Sequence, residues 1–398
     1  MTGPKALAGV KVLELGQLIA GPFAGKFFAE FGAEVIKIEP PEGGDPLRQW
    51  RKLHGGTSLW WYIQGRNKKS VTVNLRTPEG QEIVRRLARE TDVLIENFRP
   101  GTLEKWELGY ERLSSENPGL VMLRLSGFGQ SGPMRDQAGF GSVAESMGGL
   151  RYVTGFPDRA PVRPNLSIGD AIASLHGVVG ALMALHHRNV NGGQGQVVDV
   201  ALYEAVFNMM ESALPEYDLF GVVRERTGSN LTGIVPSNTY LSRDAVHVVI
   251  GANGDSIFKR LMSVIGREDM ANDPALADNA GRAKRADELD RVIGEWTARH
   301  DADEAMRLLN EAQVPNGKIY SIADIVRDPQ FLARGMIREV RLPDGVPLKV
   351  PGIVPKLGAT PGELDWVGPK LGEHTDEVLG RLGYSPADIV GLRARKII

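Results

Sequence analysis

Short apolar runs and helix-like stretches alternate through the first 130 residues, and few folds accept that order. VKVLEL (10–15) reads as a strand, and GPFAGKFFAEFG (21–32) sets Phe23, Phe27, Phe28 and Phe31 at helical spacings. AEVIKIE (33–39), KSVTVNL (69–75), DVLIENF (92–98) and LVMLRLS (120–126) read as further strands. TPEGQEIVRRLARE (77–90) reads as a helix, with Thr77 placed to cap it and Pro78 in its first turn. Strand, helix, strand at this cadence predicts an α/β fold with a mostly parallel sheet covered on both faces.

The remainder divides by texture. GFGSVAESMGGL (139–150) and the long apolar run 171–188 read as helices, and QVVDVAL (196–202) as another strand. The text turns polar and glycine-bearing at GVVRERTGSNLTGIVP, near 221–235. A hairpin, the turn GANGD (251–255) and charged helices around 287–299 and 302–312 follow. QVPNGKIYSIADIVRDPQFLARG (313–335) is a second connector, leading to a β-hairpin, a Pro/Gly-rich stretch and two short helices. The reading is a large domain begun by residues 1–220, a small α+β domain with its linkers at 221–330, and a return to the large domain at 331–398.

Composition removes several classes of function. Lys plus Arg total 47 against 49 Asp plus Glu, a balance that argues against bulk nucleic-acid binding. The chain has no cysteine, which excludes disulfides, thiolate metal sites and a cysteine nucleophile. The start, MTGPKALAGVKVLEL, lacks the pattern of a secretion signal, and no segment reaches about 18 uninterrupted apolar residues. A soluble, cytoplasmic protein without a membrane partner is expected. No G-x-S-x-G elbow, Walker A loop or H-E-x-x-H occurs, and the seven histidines suggest no metal site.

Three features remain as chemistry. GFGQSG (127–132) matches G-x-G-x-x-G after a strand, but Pro133 follows at once and MRDQAG does not open a helix. A mobile active-site loop is the better reading of it. Cations and an aromatic gather at strand ends: Arg66, Lys68, Lys69 and Arg76 in one block, then Asn97, Phe98, Arg99 and Lys105 in the next. Ligands of parallel sheets bind at the carboxyl ends of strands, and this set suits an adenine nucleotide carrying several phosphates. Finally, NLSIGD places a single carboxylate, Asp170, at the mouth of an apolar helix expected to be buried. By position alone it is a helix cap.

The opening GVKVLELGQLIAGPFAGKFFAEFGAEVIKIEPPEGGDPLR resembles the N-terminus of class III CoA-transferases, the formyl-CoA transferase-like family that includes L-carnitine CoA-transferase-like members. NKKSVTVNLRTPEG, DVLIENFRPG, LSGFGQSGP, the Gly-Asp before the long helix, GQGQVVDVALYEA and LGEHTDEVL match further blocks in order, over essentially the whole chain. The resemblance implies a Rossmann-like large domain, a smaller inserted α+β domain, and ring-shaped subunits interlocked as a homodimer. It implies that Asp170 is the catalytic nucleophile as well as a cap. It also implies CoA contacts at Val73, Arg76, Asn97, Phe98, Arg99 and Lys105. Phe140 stands where formyl-CoA transferase has a tyrosine near the nucleophile.

The implied chemistry is covalent catalysis by a carboxylate, through an aspartyl anhydride and an aspartyl-CoA thioester. It requires no metal and no permanently bound cofactor; CoA and acyl-CoA enter as substrates, with a small organic acid. Glycine loops such as GFGQSG and GANGD are lid candidates. Succinyl-CoA is the expected donor and a small dicarboxylic acid the acceptor, with Arg48, Arg51 and Arg135 placed to hold a distal carboxylate. Two other readings stand beside this one. An acyl-CoA racemase of the same fold needs a second base, which Phe140 does not supply. A CoA-binding protein without activity would tolerate loss of Asp170.

Overall fold

Five strands of the alternating region and a later sixth lie side by side in the computed structural model, which describes residues 3–398. They are β1 (Lys11–Glu14), β2 (Glu34–Glu39), β3 (Lys68–Thr72), β4 (Val93–Glu96), β5 (Val121–Ser126) and β6 (Val197–Ala201). All pair in parallel, in the order β3-β2-β1-β4-β5-β6. This is the doubly wound order, in which the chain fills one side of β1 and then the other. The register sets Val12 beside Val35 and Val93, and Leu13 beside Ile36 and Leu94.

Because side chains alternate along a strand, these rows feed two cores. Val12, Val35, Val93, Val121 and Leu123 pack under helices α1 (Ala20–Glu30) and α5 (Ile168–Val190). Leu13, Ile36, Leu94 and Met122 pack under helix α2 (Pro78–Ala88), together with Val378, Leu379, Ile389 and Leu392 from the C-terminal helices. Thr77 caps α2 through its side chain, which accepts from the Gly80 N–H, and Pro78 occupies the first turn. Short helices of this unit include α3 (Thr102–Lys105), α4 (Gly141–Met147) and α6 (Leu202–Phe207).

Helix α5 has 23 residues, and its most apolar stretch reaches a mean hydropathy of 1.6, so by length and composition it could cross a membrane. Its small residues explain its place here. Ala173, Gly177, Ala181 and Ala184 recur along one side and are buried. An added Cβ at Gly177 would come within 2.9 Å of the Leu123 side chain, so that glycine allows close approach to β5. The opposite side, with Leu175, Val179, Leu182 and Met183, is exposed. The burial expected from composition is therefore met on one face only.

The chain forms two compact units. The first runs to Leu150, resumes over Pro164–Glu211 and again over Arg334–Ile398. The second comprises Arg151–Arg163 and Ser212–Ala333. Within the second, β7 (Ser237–Leu241), β8 (His247–Gly251) and β9 (Asn316–Lys318) form an antiparallel sheet in the order β9-β8-β7. Helices α7 (Asp255–Val264), α8 (Ala286–Thr297) and α9 (Ala302–Glu311) share its core through Phe258, Leu261, Ile293 and Leu309. Arg282, fully buried, donates to the carbonyls of Val235, Leu276 and Asn253 and pairs with Asp255. GANGD is thus pinned at two of its residues.

Candidate active site

The sheet reverses direction of growth between β1 and β4, and loops leaving the carboxyl ends of two such strands part to leave a crevice. The loops after β1, β2, β3 and β4 surround a cleft of about 700 Å³. Gln17, Glu39, Val73, Asn74, Arg76 and Phe98 are among the residues lining it. Three of the expected CoA contacts, Val73, Arg76 and Phe98, therefore meet at one place. Val73 is buried and its N–H donates to the Glu39 carbonyl, so it offers the cleft little but backbone. Arg76 is exposed, on a turn closed by its own N–H donating to Asn74 Oδ1. The Phe98 ring meets Trp106 edge to face, with centroids 5.4 Å apart.

Asn97 does a different job. Its Oδ1 accepts from the Gln17 N–H at 2.7 Å, and its Nδ2 donates to the Gln17 carbonyl at 2.8 Å. The side chain thus ties the β4 loop to the β1 loop across the crevice. Arg99 and Lys105 are exposed, the first just after β4 and the second at the end of α3.

A buried charge cluster lies beneath these loops. The Lys37 ammonium pairs with Asp45 at 2.9 Å and Glu14 at 3.3 Å and donates to the Gly16 carbonyl. Asp45 in turn accepts from the Leu18 N–H at 3.0 Å. Burial works to lower the Lys37 pKa, but Asp45, Glu14 and Glu39 outweigh it and hold the ammonium above its ordinary value. Leu18 sits at φ 63°, a left-handed conformation that a leucine rarely adopts unless its surroundings impose it. The cluster and Asn97 together fix Gly16–Leu18, and with it Gln17, at the cleft.

Glu96, the last residue of β4, supports the other wall. It pairs with Arg124 at 2.7 Å and its Oε2 accepts from the Phe98 N–H at 2.7 Å. Arg124 reaches on to Glu104 in α3, also at 2.7 Å. Burial pushes the Glu96 carboxyl up to about 7, against the pull of Arg124.

Asp170 and Phe140 form a second group, where α4 and α5 begin. Asp170 is not the cap of α5. The helix begins at Ile168 with Ser167 as N-cap, so Asp170 lies inside the first turn, half-buried, with its backbone already helical. Its carboxylate rests against Gly141: an added Cβ there would overlap Oδ2 and lie 2.8 Å from Cγ. Phe140, the N-cap of α4, is 66% exposed. The Ser174 hydroxyl, one turn along α5, lies 2.7 Å from the Asp170 carbonyl and 2.8 Å from that of Ala20. That contact joins the start of α5 to the start of α1, just beyond Gln17.

Two expectations for the surrounding residues change. Arg48 is buried, with its guanidinium paired to Glu39 at 2.7 Å and stacked 3.7 Å from the Trp61 ring centre, so it is committed to the fold. Arg51, stacked over Trp60 at 4.4 Å, and Arg135, beside Asp136, lie at the surface. GFGQSG is anchored where it leaves the sheet: Gly129 N–H donates to Ser126 Oγ, and Gln130 N–H to Asp199 Oδ2. Sequence reasoning missed Gln17, Arg124 and Glu145. Gln17 had a usable signal, since it directly follows the first strand, where the first crevice of such a sheet must open.

Residues 7–375 match CoA-transferase family III. The succinyl-CoA–D-citramalate CoA-transferase of Chloroflexus aurantiacus is 50% identical over 397 residues, covering 99% of this chain and 98% of the relative. The succinate–glutarate CoA-transferase of Agrobacterium fabrum is 33% identical over 385 residues, covering 94% and 95% respectively. The crystal structure of a CAIB/BAIF family protein from Brucella suis superposes with a TM-score of 0.82 at 34% identity, covering 95% of this chain and all of that one. With a doubly wound sheet, an open cleft at its switch point and an aspartate at a glycine-lined helix start, this chain belongs to CoA-transferase family III and is a CoA-transferase.

Proposed function

We propose that the chain moves CoA from succinyl-CoA to a small dicarboxylic acid, with Asp170 as the nucleophile. The observation that carries this reading is the Asp170 carboxylate, half-buried at the first turn of α5 in a seat with no side chain between it and Gly141. The donor assignment is supported by relatives named for succinyl-CoA and succinate. The cleft lined by Arg76 and Phe98 suits the adenine and phosphates of CoA; Arg99 and Lys105, both exposed, are the further cations proposed to meet it. Arg51 and Arg135 are the exposed guanidinium groups proposed to meet a distal carboxylate.

Each step balances without an external proton. One Asp170 oxygen attacks the thioester carbonyl, the C–S bond breaks, and CoA leaves as thiolate, giving a mixed anhydride. The thiolate attacks the aspartyl carbonyl and releases succinate, giving aspartyl-CoA. The acceptor carboxylate then attacks that thioester, and the thiolate released attacks the acceptor's acyl carbon to regenerate Asp170. The cycle needs no metal and no resident cofactor. Both intermediates are open to hydrolysis, so exclusion of water is part of the task.

We also propose an interlocked homodimer, in which each large CoA-binding domain is made from both ends of the chain and the smaller domain lies between them in sequence. The exposed stripe of α5 supports a partner, because Leu175, Val179, Leu182 and Met183 form one continuous apolar face. In the second unit, the helix Ala213–Phe220 buries none of its residues, and Leu219 and Phe220 are both 73% exposed.

The decisive experiment is mass spectrometry after incubation with succinyl-CoA. A CoA adduct mapped to Asp170 is expected. Asp170→Asn is expected to keep the fold and lose kcat by about 10³-fold or more. An active Asp170→Asn enzyme, or an adduct on another residue, would remove the mechanism.

A further inference from the structure

Two positions on one face of α4, 141 and 145, are one turn apart, and both meet the first turn of α5. The first is the glycine against which the Asp170 carboxylate rests. The second is Glu145, which has no solvent exposure. Its Oε1 accepts from the Gly169 N–H at 3.3 Å. Gly169 is itself tightly enclosed: an added Cβ would lie 3.0 Å from the Gly141 carbonyl oxygen and 3.1 Å from Glu145 Cγ. Two glycines and one carboxylate thus lock α4 onto the residues flanking the nucleophile.

The Gly169 N–H is among the first-turn donors that a helix leaves without an intrahelical partner. Ser167, the N-cap, makes no side-chain bond to that turn. Glu145 meets the need from a neighbouring helix, and its charge suits the positive end of α5. Burying a carboxylate is costly, and an apolar residue of similar volume would pack there at less expense. A fixed α5 start is what the expense obtains, and Asp170 is the residue immediately after Gly169.

We propose that Glu145 is a positioning residue for Asp170, with Gly141 as the floor of the seat. Glu145 holds the backbone just before the nucleophile, and Gly141 leaves the space into which the carboxylate settles. The proposal rests on Asp170 as the nucleophile. A displacement of the reacting group by about 1 Å can cost about 10²-fold in rate, which sets the size of the expected effect.

The test follows formation of the Asp170 adduct from succinyl-CoA in a single turnover, with KM for succinyl-CoA measured alongside. Glu145→Leu and Gly141→Ala are expected to slow adduct formation by about 10²-fold while KM stays near the wild-type value. Glu145→Gln keeps an acceptor for the Gly169 N–H and is expected to restore most of the rate. Wild-type speed in Glu145→Leu, or a rate in Glu145→Gln as low as in Glu145→Leu, would overturn the proposal. A wild-type chain that forms no adduct on Asp170 would instead overturn the nucleophile assignment beneath it. Thermal melting of each variant separates slow chemistry from loss of fold, and Glu145→Gln keeps the test open should Gly141→Ala fail to fold.

Discussion

At the scale of single residues, Glu96 is the group through which the cleft proposed to bind CoA is expected to respond to pH. The folded chain keeps its proton up to about 7, whereas the ordinary value is 4.5. Between those limits the folded state binds more protons, so Glu96 contributes most to stability below 4.5, and that contribution is lost as pH rises through 7. Binding follows the opposite trend. Ionised Glu96 is the stronger acceptor for the Phe98 N–H and the stronger partner for Arg124, so the cleft wall is held best above about pH 7. KM for the CoA ester is expected to rise a few-fold as pH falls from about 8 to 5, and Glu96→Gln to flatten the change. Identical pH profiles for the two enzymes would show that the wall does not depend on this charge. Nothing in DVLIENF announced the role, because the partner, Arg124, is 28 residues away and is brought opposite Glu96 only by the register of β4 and β5.

At the scale of elements, α1 shows how a helix carries a functional loop at some cost. Its sequence made the helix legible, since the aromatic spacing is helical and Phe28 is wholly buried. Lys26 is the misfit: buried, 4.1 Å from the Phe23 ring centre and 3.9 Å from Glu30. Burial lowers its pKa to about 8, and Glu30 only partly opposes that. The unfolded chain therefore binds more protons between 8 and 10.5, and stability should rise with pH across that window. Lys26→Met is expected to stabilise the chain at pH 7 by about 1–2 kcal/mol, the relieved charge burial outweighing the lost cation–π contact. Calorimetry at pH 7 checks this; a lower melting temperature would mean that the aromatic contact dominates.

At the scale of the whole molecule, α5 joins the argument about assembly to the argument about catalysis. One side packs on the sheet through small residues, its first turn holds Asp170, and its other side is an apolar stripe. If the proposed homodimer forms through this stripe, the wild-type chain sediments at twice the chain mass, and Leu182→Asp combined with Met183→Lys shifts it towards the single-chain mass in analytical ultracentrifugation. The same variant should keep the secondary structure of the first unit, because neither side chain belongs to its cores. An unchanged mass would place any partner surface elsewhere.

The sequence by itself determined what depends on short range. Periodicities of 2 and about 3.6 set strands and helices, the alternation set a parallel sheet, and the ordered blocks carried the family and singled out Asp170 as the proposed nucleophile. Residues at strand ends could be named as cleft candidates because a parallel sheet opens there and nowhere else. Tertiary structure decided the rest, since it concerns partners far apart in the chain. Asn97 is joined to Gln17 across 80 residues, and Glu145 to Gly169 across 24. Arg48 looked like a substrate ligand until Glu39 and Trp61 enclosed it. Asp170 looked like a cap, but α5 begins two residues before it, at Ile168, with Ser167 as the N-cap. The physical reason is common to all four: a polar side chain's role is set by whatever desolvates it and meets its hydrogen bonds, and packing of distant segments decides both.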